Sequence, residues 1–222
     1  MTNHHTNDER PRFDDETWTQ LASFLTELAD PVEIHVWAEP AIGNWEEKEA
    51  INLAQLLADA FPKISYRVFP RRINYPYYPV IGVMRITDDG QQIDHGVRCI
   101  GLPQGYQITS FVAALQGVSF QGQQLEPLTR IHLHRLNQPI EIQLLTATED
   151  EPGATMASLA YYFAAANQYI KTYVIMTNAF PEAALRYSAK LLPHVVINNR
   201  YHISDPLGED EFLQQLSKAL KN

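Results

Sequence analysis

The sequence predicts an α/β protein made of two tandem copies of one unit, each a mixed central sheet flanked by helices, packed as one rigid body. Three observations carry this. Runs of β-formers alternate with stretches of helical periodicity along nearly the whole chain. A proline opens a β-run twice, at Pro79 and at Pro193, and each run leads through a tight turn into a returning strand. A proline also ends the opening helix twice, at Asp30-Pro31 and at Asn137-Gln138-Pro139. Both pairs of prolines are separated by about 110 positions, the signature of an internal repeat.

Residues 1–13 are polar and broken by proline, and are expected to form a disordered tail. His4-His5 within it reads as an incidental exposed pair rather than a metal site. Trp18, Leu21, Phe24, Leu25 and Leu28 share a helical face, and Val32 to Trp37 alternates as a strand. A helix over residues 44–60 follows, with Asn44 and Glu47 as its capping pair and Ile51, Leu53, Leu56 and Leu57 as its stripe. Ile64, Tyr66 and Val68 mark the next strand, and Arg71-Arg72 a basic loop. Asp88-Asp89-Gly90 turns the Pro79 strand back toward Ile100, and Ile108, Phe111, Val112 and Leu115 supply a helix.

The second copy repeats the order. Leu125, Leu128, Ile131 and Leu136 are assigned to a helix, residues 140–145 to a strand and residues 153–167 to a second helix. Residues 173–176 read as a strand and 181–187 as a short helix. The Pro193 strand turns at Asn198-Asn199, and Phe212, Leu213, Leu216 and Leu220 form the last helix. The expected units are residues 14–117 and 118–222, with residues 117–124 as the one flexible stretch between them.

The chain has 222 residues, a net charge of −9 and a pI near 5.3, which argues against nucleic acid or an anionic membrane as partner. No apolar run is long enough to span a bilayer and no signal peptide follows Met1, so a cytoplasmic protein is expected. The one cysteine, Cys99, excludes an intramolecular disulfide. No phosphate loop, nucleophile elbow or metal spacing is present, and no cofactor is expected. His132 and His134 lie on different sides of one helix, and His35, His95, His194 and His202 have no spacing that unites them.

Four segments carry a family resemblance: Pro31-Val32-Glu33-Ile34, Tyr78-Pro79-Val80, the run from Gly96 to Tyr106 reading GVRCIGLPQGY, and Leu192-Pro193-His194-Val195. With these the chain resembles the tandem, glutaredoxin-like protein disulfide oxidoreductases of archaea and bacteria. It is also similar to the N-terminal region of the F component of alkyl hydroperoxide reductase. The resemblance covers about residues 17–221. It implies a thioredoxin fold in each half, with Pro79 and Pro193 as the cis-prolines that lie beside the redox cysteines in active members.

Those cysteines are missing. Catalysis in such proteins uses Cys-x-x-Cys at the helix start, where the helix N-terminus stabilises a thiolate. Here the first turn carries Ile42, Gly43, Asn44 and Trp45, and the second Glu149, Asp150, Glu151 and Pro152. The acids at these helix starts read as ordinary caps or as an acidic groove beside Pro193 for a basic ligand. Cys99 reads as a small buried hydrophobe or as a lone reactive thiol. Tyr75, Tyr77 and Tyr78 could line a peptide groove or pack between the halves.

The expected function is therefore a non-catalytic binding module that recognises another protein or a peptide through grooves at Tyr78-Pro79 and Leu192-Pro193, with a homo-oligomer left open. The alternative is a thiol-redox or peroxide-linked oxidoreductase that uses Cys99 or a partner's cysteines. A structural subunit of a larger assembly is the third reading.

Overall fold

The computed structural model describes residues 13–72 and 74–221; His4-His5 and most of the expected tail lie outside the described residues. Strand β1 (Val32–Trp37) is buried along its whole length, as a strand with neighbours on both sides and packing on both faces must be. It runs parallel to β2 (Ile64–Phe69) and antiparallel to β3 (Val80–Ile86). The crossover between the parallel pair is α2 (Trp45–Ala60), which opens on the predicted capping box: Glu47 N donates to Asn44 Oδ1 at 2.9 Å, and Asn44 N to Glu47 Oε1 at 3.2 Å. Strand β4 (Gln92–Ile100) returns beside β3 with an irregularity between Val83 and Met84. Helices α1 (Asp15–Leu25) and α3 (Gln107–Ser119) complete the first copy.

The second copy consists of α4 (Pro127–His134), β5 (Ile140–Thr146), α5 (Glu151–Ala166), β6 (Ile170–Met176), α6 (Pro181–Arg186), β7 (His194–Ile197), β8 (Tyr201–Ile203) and α7 (Glu209–Ala219). Its strands repeat the first pattern: β5 is parallel to β6 and antiparallel to β7, which pairs with β8. The copies meet where β4 and β6 run parallel, residues 97–100 against 172–175. Among the described residues this gives one eight-stranded sheet, in the order β2-β1-β3-β4-β6-β5-β7-β8. The larger apolar core fills the face covered by α1 to α5 and α7. The opposite face carries a smaller core and is covered by α6 and by the Tyr75-Tyr77-Tyr78 loop. No described helix is long and apolar enough to cross a membrane.

Several boundaries differ from the sequence reading. Helix α1 ends at Leu25, well before Asp30-Pro31, and Phe24 is exposed. In α4 the predicted stripe residues Leu128 and Ile131 face solvent, while Leu133 and Thr129 are buried and Leu125 lies ahead of the helix. Helix α5 begins at Glu151 because Asp150 caps it, and β6 begins at Ile170. Of the supposed flexible stretch, residues 117–119 belong to α3 and residues 120–124 form turns. Gly117 sits inside α3, where an added Cβ would stand 2.8 Å from the Tyr162 ring, and Gln121 and Gly122 both have positive φ.

Candidate functional site

The Tyr78-Pro79 and Leu192-Pro193 bonds are both cis. Val80 pairs with Trp37 and His194 with Leu145, so each proline lies just past the end of β1 or β5, beside the turn into the following helix. Strand β1 is antiparallel to β3, β3 to β4, and β4 is parallel to β6 and so to β5. The two turns therefore open at the same edge of the sheet, four strand spacings or about 20 Å apart.

At the first turn the central group is Glu47, a carboxylate with 0% exposure. It accepts from Glu39 N at 2.7 Å, Asn44 N at 3.2 Å and Arg71 Nε at 3.0 Å, and Arg71 Nη2 reaches its other oxygen. Burial pushes its pKa up, but hydrogen bonds from Arg71, Glu39 and Asn44 hold it below the ordinary value. The Arg71 guanidinium also lies 5.4 Å from the centre of the Tyr78 ring, and the Tyr78 hydroxyl donates to the Arg72 carbonyl. Arg71 thus ties the helix start to the residue before Pro79. Ile42 and Trp45 project from this turn, 83% and 58% exposed.

The second turn is closed from the other copy. Asp150 accepts from Gly153 N and Thr146 Oγ1, both at 2.9 Å. The buried Gln107 of α3 donates from Nε2 to Thr146 Oγ1, Ala147 O and Asp150 O, at 2.9, 3.0 and 3.2 Å. Tyr106 N donates to Thr148 O at 3.0 Å. Glu149, Glu151 and Pro152 are exposed, as are Leu191 and Leu192 beside Pro193.

The acids at the helix starts are therefore not equivalent. Glu47 and Asp150 are consumed by capping and internal hydrogen bonds, Glu149 and Glu151 face solvent, and the first groove presents the cations Arg71 and Arg72. Cys99 belongs to neither turn. It lies in β4, 2% exposed in the larger core, with Sγ 3.6 Å from Gly101 O. Burial pushes its thiol up to about 12. Tyr75 packs on Trp37 and Tyr173, and Tyr77 stacks on Phe180, so these two tyrosines join the copies, while Tyr78 stays at the first turn.

Two clusters escaped the sequence reading. Arg98 and Asp94 form an ion pair beneath Trp37, whose ring lies 5.2 Å from the guanidinium. His194 and His202, which no sequence spacing linked, meet with Nε2 and Nδ1 2.9 Å apart. The hairpin register was the available signal: an Asn198-Asn199 turn places residue 202 opposite 196, diagonal to 194. Among the described residues no group of three or more metal-ligating side chains converges.

No protein-family profile and no curated protein sequence matches the chain. Solved structures do. The NTD_N/C domain of alkylhydroperoxide reductase AhpF from Enterococcus faecalis superposes with a TM-score of 0.82 at 16% identity, over 92% of this chain and 100% of that one. A protein disulfide oxidoreductase from Aeropyrum pernix gives 0.79 at 20% identity, over 95% of each chain. The chain has a tandem thioredoxin fold. At these identities the likeness establishes architecture, and the tandem thioredoxin fold leaves function to be argued from the sites themselves.

Proposed function

We propose that this tandem thioredoxin-fold chain is a non-catalytic module that binds an extended polypeptide segment at the edge shared by its two cis-prolines. One observation carries the reading: each proline stands beside exposed apolar side chains, Ile42 and Trp45 in one copy and Leu191 and Leu192 in the other, at a helix start without sulfur. Strand pairing begins at Val80 and His194, so Tyr78 and Leu192 stand just outside the ladder, a position from which backbone can pair with an added strand. The similar solved structures are named for disulfide oxidoreduction and hydroperoxide reduction, which supports a partner drawn from thiol-redox chemistry. The alternative oxidoreductase would work through Cys99, buried and with its thiol held protonated, or through a partner's cysteines.

A library of extended, fluorescein-labelled peptides titrated with the full chain should yield saturable changes in anisotropy, with affinity weakened about tenfold by Trp45→Ala or Leu192→Ala. Binding that ignores both substitutions refutes the groove. Insulin disulfide turnover by the wild type that disappears in Cys99→Ser would decide for the oxidoreductase.

A further inference from the structure

We propose that the β7–β8 hairpin and the end of α6 form a binding site for a phosphomonoester, adjoining the second cis-proline through His194. The site is a cavity of about 600 Å³ walled by Arg186, Tyr187, Ser188, His194, Asn199 and His202. No carboxylate lines it, although the chain carries a net charge of −9. Among the described residues Arg186 has no ion-pair partner; its guanidinium lies 5.5 Å from the centre of the Tyr187 ring. A guanidinium fork, the Nε2–H of His202, an amide and a hydroxyl around one space are the donors that a phosphate group takes. The space exceeds a phosphate alone, and the Tyr187 ring offers an apolar wall for an organic substituent.

The histidine pair gives the site its proton chemistry. Ser204 Oγ lies 3.1 Å from His194 Nδ1, and His194 Nε2 lies 2.9 Å from His202 Nδ1. With both rings neutral, the Ser204 hydroxyl donates to His194, His194 Nε2–H donates to His202 Nδ1, and His202 carries its own proton on Nε2. A single added proton fits without breaking the chain. His202 then donates from Nδ1 to His194 Nε2, and His194 donates from Nδ1 to a rotated Ser204 hydroxyl. The added charge then rests on the ring that shares the cavity with Arg186, where an anion stabilises it, while burial and then the neighbouring His202 disfavour charge on His194 itself. Of the lining, Tyr187 is held protonated above its usual range by burial; Glu141 of β5, which lines the neighbouring cavity with Arg186 and Tyr187 and not this one, interacts with Tyr187. A divalent cation fits worse: only two imidazoles meet, and Arg186 would repel it.

The test follows the imidazole Cε1–H resonances of the full chain by NMR during titration with inorganic phosphate and with phenyl phosphate. Saturable shifts of His194 and His202 are expected, with affinity about tenfold higher at pH 6 than at pH 8. Phenyl phosphate should bind more tightly than inorganic phosphate; equal affinity overturns the phosphomonoester assignment. Arg186→Gln and His202→Gln, both at exposed positions, should each weaken binding at least about tenfold at an unchanged melting temperature. Arg71→Gln at the first turn should have no effect. Shifts that fail to saturate, or that survive both substitutions, overturn the site, as does stoichiometric uptake of Zn²⁺ without a phosphate response.

Discussion

Glu47 shows how one side chain can close a site. Its carboxylate fills the ring of donors formed by Glu39 N, Asn44 N and Arg71, so an acid from the chain itself occupies the space ahead of α2. Replacing it with Gln leaves donors facing an amide that can accept at one atom only, and should cost about 1–3 kcal/mol at neutral pH in urea melts. The folded pKa is depressed, so the folded protein releases this proton more readily than the unfolded chain does. The contribution is full above the unfolded value of 4.5 and fades as pH falls through the folded value. The wild-type advantage over Glu47→Gln should therefore shrink on acidification below about pH 4.5; a constant gap would show that the charge is not what stabilises the turn. Cys99 gives a second expectation. A buried thiol raised to about 12 should react with a thiol reagent only through unfolding, so labelling at pH 8 should accelerate across the urea transition. Rapid labelling of the native chain would contradict it.

The elements differ in how far local sequence could reveal them. Strand β1, the α2 capping box and the Asn198-Asn199 turn were legible because each depends on residues a few positions apart; both asparagines have positive φ, 51° and 59°, which that residue tolerates well. Phe24, Leu128 and Ile131 misled because periodicity says which side chains share a face, and nothing about whether anything packs on it. Gln107 was invisible for a different reason: its partners lie about 40 positions away, in the other copy. This one amide couples α3 to the turn before α5. Gln107→Leu should leave Ala147 O, Asp150 O and Thr146 Oγ1 short of a donor, lowering stability by about 2–3 kcal/mol in denaturant titration. Gly105 supports the same joint, with φ +55° and an added Cβ placed 2.5 Å from Thr148 O; Gly105→Ala should destabilise by about 1–3 kcal/mol, and a neutral result would mean the loop can lift away.

For the molecule as a whole, the duplication and the paired prolines could be read from the chain, whereas the seam between β4 and β6 could not, since parallel pairing of distant strands leaves no local mark. The seam makes each copy dependent on the other. Residues 14–117 or 118–222 expressed alone would bare a strand edge and the α3–α5 contact where Gly117 meets Tyr162. Neither fragment should give a monomeric species with a cooperative melt by circular dichroism, and one that did would show the copies to be independent. The strand order carries a further consequence. Each copy follows the same lateral sequence, with β6 set against β4 as the counterpart of β2 would be set against a preceding copy. Such a head-to-tail arrangement need not close on itself, and in principle another molecule could add its β2 to β8, then another, into a growing ribbon. The final strand is the stop: β8 has three residues where β4 has nine, too little ladder to hold the next chain.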